Sequence, residues 1–246
     1  MSNILYNQKK YATIRSLRFF AIGGSFYTTA NDTEDKMSAD ENVNFEDGVI
    51  IQMELLHEAE GICISYFKEN IKKKQSIREF FERISRKTDN NIFCIGVGRS
   101  GLAVRTFAMR LTQMEYRRVY VSGETTTPAV KKDDIVVVIS SSGETETVRN
   151  LVMKYKAYGA IVVALSAHKE STIGNVADLF IHIPDKNQIL IDNPGFAAKV
   201  KDLKNWAPLG TVSEDFAIKF LDAFVTELMT VTGKTEKDLK FVHQIE

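Results

Sequence analysis

The chain has 246 residues, and its 32 Lys+Arg are matched by 32 Asp+Glu, so the formal net charge is zero. That balance gives no electrostatic reason to expect nucleic acid or an anionic membrane surface as partner. With 44% hydrophobic residues the composition fits a globular protein with a sizeable core, and the longest apolar runs are far too short to span a bilayer.

The N-terminus carries basic residues and an apolar patch at residues 17–24, but the patch is short and lacks a cleavage site, so it does not read as a signal peptide. Residues 1–47 read as an N-terminal extension. Its polar, acidic stretch at 31–47 is a linker by composition. Its aromatic part, with Phe19, Phe20, Phe26 and Tyr27, either packs on the domain or on a neighbouring subunit, or is a poorly ordered tail. Residues 48–246 read as one domain. Two cysteines, Cys63 and Cys94, make no disulfide framework, so a reducing cytoplasmic compartment is expected.

From Val49 the apolar residues Ile51, Leu55, Ile62, Tyr66 and Phe67 recur at helical spacing. A second helix is expected over 76–86, with Ile77, Phe80, Phe81 and Ile84 on one face. Ser76 and Glu79 have the spacing of a capping box at its start. After Asn90 the pattern alternates strand, turn and helix. Strands are expected over 92–97, 119–122, 135–140, 161–166 and 179–183. Helices are expected from Gly98 to about Met114, after Ser140 to about Tyr158, and over 171–176. This is the signature of a parallel sheet covered on both faces. Residues 184–208 hold three of the four prolines and read as a long loop. Residues 211–232 form an amphipathic helix with a stripe of Phe216, Phe220, Leu221, Phe224, Val225 and Leu228.

The strongest local signal is Ile135-Val136-Val137-Val138-Ile139 running into Ser140-Ser141-Ser142-Gly143-Glu144-Thr145. A short, wholly apolar run is a strand buried on both faces. The hydroxyl-rich turn then falls at its carboxyl end, where open α/β sheets bind ligands. A helix N-terminus there favours an anion, so the turn is built to hold a phosphate without a lysine or arginine. An N-cap alone needs one serine. Glu144 and Glu146 are expected to point away from that anion.

Gly96-Val97-Gly98-Arg99-Ser100-Gly101 has the glycine spacing of a dinucleotide fingerprint but does not read as one, because no acid ends the second strand. It is a tight strand–helix turn, with Arg99 and Ser100 as polar tips facing the ligand edge. Residues 123–128, with Thr125, follow the second strand. They are either ligand contacts or plain loop. Glu214 opens the long helix, where the helix dipole alone would favour an acid. His57, His168, His182 and His243 show no metal-ligand spacing, so no metal site is expected.

Together these motifs resemble the sugar isomerase (SIS) domain, and more specifically the 6-phospho-3-hexuloisomerases. The likeness rests on residues 96–101, 107–111, 123–128, 132–134 and 140–145, and on Pro208-Leu209-Gly210-Thr211 with Glu214. It covers roughly residues 50–246, so that 48–246 becomes an SIS domain with N- and C-terminal helices. Ser213 stands where that family often has an aromatic residue, and the tail around His243 lacks the family's preceding arginine.

The resemblance implies an α/β three-layer sandwich with a five-stranded parallel sheet, a homotetramer and no cofactor. It implies interconversion of D-arabino-3-hexulose 6-phosphate and fructose 6-phosphate through an enediolate. Ser140, Ser142 and Thr145 would bind the phosphate, with the Ser141 N–H. Arg99 and Ser100, beside Gly98 and Thr125, would contact the sugar. Glu214 would be the base, and His243 would enter its own or a neighbouring subunit's site. The alternatives are an isomerase of another phosphosugar and a non-catalytic sugar-phosphate-binding regulator. A regulator has no use for a base at Glu214, and residues 1–90 show no DNA-binding motif.

Overall fold

The computed structural model describes residues 45–71, 75–86, 88–203 and 205–243. The expectations for residues 1–44 lie outside the described residues. Helix α1 (Phe45–Ile71) and helix α2 (Gln75–Ser85) precede the sheet. Then follow β1 (Ile92–Ile95), α3 (Gly98–Gln113), β2 (Val119–Val121), β3 (Ile135–Ile139), α4 (Glu146–Ala157), β4 (Ile161–Ser166), α5 (Thr172–Val176) and β5 (Leu179–His182). After the sheet come α6 (Lys186–Asp192), α7 (Pro194–Val200), α8 (Thr211–Thr232) and α9 (Glu236–His243).

All strand pairs are parallel, and the sheet order is β2-β1-β3-β4-β5. Successive side chains point to opposite faces of a strand. Ile92, Cys94, Ile135, Val137 and Ile139 accordingly join the larger core, with α1, α2, α3 and α8. Phe93, Ile95, Val136 and Val138 join the smaller one, with Val148 and Val152 of α4 and Ile173 of α5. The result is a three-layer α/β sandwich. The helix after β1 covers one face and the helix after β3 covers the other. Between their starts the carboxyl edge of the sheet is left open, which is where this strand order places its ligand crevice.

An aromatic cluster fixes α8 in the larger core. Phe80 stacks on Phe224 at 4.4 Å between ring centroids, and Phe67 packs edge-on against Phe216 at 5.6 Å. Both cysteines are buried, and desolvation pushes each thiol up to about 12, so neither is a nucleophile near neutral pH.

Two sequence expectations are corrected. Most of 184–208 is not a loop: residues 186–192 and 194–200 form α6 and α7, while the described residues 201–203 and 205–208 are non-helical as expected. Asp185 caps α6 by accepting the Gln188 N–H at 2.8 Å, and Pro194 takes the first turn of α7, where its missing N–H is harmless. Ser76 lies inside α2 rather than at its cap, and Glu79 accepts from Arg83 one turn on, at 2.6 Å. There it gains an i,i+4 ion pair.

Asp134 is a buried carboxylate, 2% exposed, in front of β3. It accepts the Asn91 N–H at 2.8 Å, the Asn91 side chain at 3.1 Å and the Lys131 N–H at 2.7 Å. It ties the entry of β1 to that of β3 and lies outside the open carboxyl edge. Asp134→Ala strands these donors, so it is expected to lower unfolding free energy by at least about 2 kcal/mol in a denaturant titration.

Candidate active site

Five segments converge at the carboxyl edge around one cleft of about 720 Å³. They are the turn after β1 (97–100), the turn after β3 (140–145), His168 after β4, residues 185–187 after β5, and residues 205–214 leading into α8.

The β1 turn is so tight that it requires glycine. A Cβ on Gly96 would lie 2.7 Å from the Ser100 carbonyl oxygen, and one on Gly101 would lie 2.9 Å from the Gly96 carbonyl oxygen. This close approach swings α3 away at once and leaves Arg99 and Ser100 at the tip. Gly98, Arg99 and Ser100 all line the cleft.

Glu214 stands opposite, in the first turn of α8, and is 9% exposed. Its Oε1 accepts from Ser100 Oγ at 3.0 Å and its Oε2 from Arg99 Nε at 2.9 Å. Arg99 Nη2 also donates to Asp215 Oδ1 at 2.7 Å. A carboxylate taken out of water needs such donors, and two chain-distant residues of one turn supply them. Gly210 makes the close seat possible. It has φ +77°, and a Cβ there would lie 2.9 Å from Glu214 Oε2.

The β3 turn is stitched by its own hydroxyls. Ser140 Oγ accepts the Gly143 N–H and Ser142 Oγ accepts the Glu144 N–H, both at 3.2 Å. A hydroxyl that accepts keeps its own proton to donate. The Ser141 carbonyl accepts the Ala167 N–H at 3.0 Å and Ser166 Oγ at 3.1 Å, which locks the turn to β4. Thr145 is the N-cap of α4, and its side chain takes no cap bond. Ser140, Ser141, Ser142 and Thr145 all line the cleft together with the start of α4. Glu144 points elsewhere, as expected, and is no part of the lining. Its carboxylate accepts from the Thr172 N–H at 2.6 Å and Thr172 Oγ1 at 2.9 Å, and the N–H bond foremost holds it below the usual carboxylate range.

The structure does not bring every sequence candidate together. Thr125 is exposed on the β2–β3 connection and is absent from the cleft lining. The neighbouring Thr127 Oγ1 simply closes that loop on the Val121 carbonyl at 3.0 Å. His243 ends α9, and its side chain lies outside the described residues. His168, Asp185, Lys186, Asn187 and Asn205 line the cleft and were not singled out in the sequence. The signal for the first four was positional, since they follow the carboxyl ends of β4 and β5. Lys186 shares this cleft with the serine turn. Among the described residues no cluster of His, Cys, Asp or Glu could hold a metal ion, and no helix is long and apolar enough to cross a membrane.

Comparison with known proteins agrees with this architecture. A sequence model of the SIS domain matches residues 86–199. An uncharacterized protein of Methanothermobacter thermautotrophicus is 36% identical over 197 residues, covering 80% of this chain and 99% of the relative. A 3-hexulose-6-phosphate isomerase of Methylomonas aminofaciens is 35% identical over 151 residues, or 61% of this chain and 77% of that enzyme. A crystal structure from Methanococcus jannaschii, with an inferred function of 3-hexulose-6-phosphate isomerase, aligns at TM-score 0.62 and 30% identity, covering 78% of this chain and 97% of that one.

Gly210→Ala forces a left-handed backbone on a residue with a Cβ and pushes that Cβ against the Glu214 carboxylate. It is expected to destabilise the fold by about 1–2 kcal/mol from the backbone alone, measured as a shift in the thermal or denaturant midpoint.

Proposed function

Because the chain belongs to the SIS domain family, we propose that it is a phosphosugar isomerase interconverting D-arabino-3-hexulose 6-phosphate and fructose 6-phosphate. The observation that carries the reading is the buried Glu214 carboxylate, fixed by Arg99 and Ser100 across the cleft from the Ser140–Thr145 turn.

The phosphate is anchored by the hydroxyls of Ser140, Ser142 and Thr145 and by backbone N–H groups at the start of α4. A helix N-terminus adds its partial positive charge. With that end fixed, the middle carbons of the sugar lie on the side of the cleft held by β1 and α8. Anchoring replaces a search by a nearly fixed geometry.

Moving the carbonyl from C3 to C2 requires loss of the C2 proton and gain of one at C3. Glu214 takes the C2 proton, and the electron pair of that C–H bond forms the C2–C3 double bond of an enediolate. The C3 oxygen gains the charge. The carboxyl group then returns a proton to C3, the hydroxyl proton passes from O2 to O3, and the carbonyl reforms at C2. One carboxylate serves both halves. Arg99 has five N–H donors and spends two of them on Glu214 and Asp215. It thereby aims the base and remains able to donate to the developing oxyanion. Nothing in this sequence requires an additional group: the charge that appears on oxygen is met by donors already fixed around the cleft. His243 is a candidate second contributor from the C-terminal segment.

A sugar-phosphate-binding regulator would need the serine turn but not a clamped carboxylate facing it. Glu214 therefore favours catalysis over binding alone.

Supplied with hexulose 6-phosphate, the protein is expected to form fructose 6-phosphate in a coupled assay. Glu214→Gln keeps the size of the side chain and removes the base, so the rate is expected to fall at least ~10²-fold. No turnover by the parent protein would defeat the assigned reaction. Equal rates in parent and variant would defeat the role of Glu214.

A further inference from the structure

The cleft lining contains two permanently basic side chains, Arg99 and Lys186. They are in opposite situations. Arg99 is committed to carboxylates, Glu214 and Asp215. His168 is also engaged, with Nε2 3.2 Å from Asp185 Oδ2. Asp185 is in turn occupied twice, because it also caps α6.

Lys186 has no carboxylate partner among the described residues. Its ammonium donates to the Ala207 carbonyl at 3.2 Å and rests 4.8 Å from the centroid of the Trp206 ring. That platform is rigid: Trp206 is 3% exposed and is braced edge-on by Phe196 at 5.0 Å. A carbonyl and an aromatic face are weak substitutes for a counter-ion. Burial holds the Lys186 pKa below its ordinary value, as expected for an ammonium short of charge compensation.

The charge deficit has a complement in the same cleft. A sugar phosphate carries up to two negative charges into a partly buried site. The serine turn and the start of α4 offer neutral donors to it. Buried charge is unfavourable unless it is paired. The position also fits. In the order β1-β3-β4-β5, the partners of Glu214 follow β1, the serine turn follows β3 and Lys186 follows β5. Lys186 thus shares the cleft with the serine turn, its ammonium resting on residues 206–207 of the segment that leads into α8.

We propose that Lys186 is the cationic partner of the substrate phosphate, turning from the Trp206 face and the Ala207 carbonyl to the anion held by Ser140, Ser142 and Thr145. This rests on the reading of the cleft as a phosphosugar site. The lysine contributes to binding, while the proton transfers belong to Glu214.

The test titrates parent, Lys186→Met, Lys186→Gln and Lys186→Arg proteins with inorganic phosphate and with fructose 6-phosphate. Trp206 is the only tryptophan of the chain, so its fluorescence reports departure of the ammonium directly. Phosphate is expected to change the emission of the parent. In the Met and Gln variants phosphate affinity should fall and KM should rise about 10-fold or more, as for loss of a charged hydrogen bond. The kcat should change far less, and Lys186→Arg should recover most of the affinity. A melting transition matched to the parent identifies which variants are folded, and any folded one decides.

Equal phosphate affinity in parent and Met variant would overturn the proposal. So would a fall in kcat at constant KM, which would move the ammonium to the reacting carbons. A parent that binds neither phosphate nor fructose 6-phosphate would overturn it as well. The two readings fail separately. Phosphate binding that depends on Lys186, in a protein that turns over no hexulose phosphate, sustains this inference and defeats the isomerase. Turnover with phosphate affinity independent of Lys186 does the reverse.

Discussion

A carboxylate withdrawn from water needs donors, and Glu214 takes two of them from the turn after β1. This bond set joins the first turn of α8 to the start of α3, more than a hundred residues earlier in the chain. Three other features make it possible. The aromatic cluster of Phe67, Phe80, Phe216 and Phe224 seats α8 against α1 and α2. The close approach of Gly96 and Gly101 brings the tip of the β1 turn to the sheet edge. Gly210 keeps the space beside the carboxylate clear.

The sheet supplies the rest of the geometry. Since α3 covers one face and α4 the other, the segments after β1 and β3 diverge and leave a crevice between them. Glu214 stands over its β1 side and the serine turn over its β3 side. In the proposed reaction a phosphorylated chain bound at the second end crosses toward the first. The Arg99 interaction is therefore a positioning device as much as a charge pair. It fixes the Glu214 carboxylate in one orientation, and in the proposed reaction it brings a donor to the place where negative charge develops.

Much of this arrangement was legible in the sequence, for identifiable reasons. The β3 strand and the serine turn were legible because a fully buried parallel strand is continuously apolar and the turn at its carboxyl end is polar. The bounds of α8 were legible because its stripe is regular and glycines stand at both ends, Gly210 and Gly233. Residues 186–200 were not, since the prolines suggested a loop while Asp185 and Pro194 in fact start two short helices. Ser76 failed as a cap because the helix begins one residue earlier. Lys186 and His168 were missed because neither belongs to a motif. Only the strand order reveals that β4 and β5 also deliver their following residues to the cleft. Thr125 also follows a strand, but β2 lies at the sheet edge on the far side of β1 and the threonine is absent from the cleft lining.

The central claim is that Glu214 exchanges a proton with the middle carbons of a phosphosugar. Incubation of fructose 6-phosphate with the protein in deuterated water, followed by nuclear magnetic resonance, addresses it most directly. Deuterium is expected to replace the proton at C3, with C1 and the remaining carbons untouched, and the exchange is expected to be lost in Glu214→Gln. A C3 proton that persists with the parent protein, or one that exchanges equally fast with Glu214→Gln, would contradict the account.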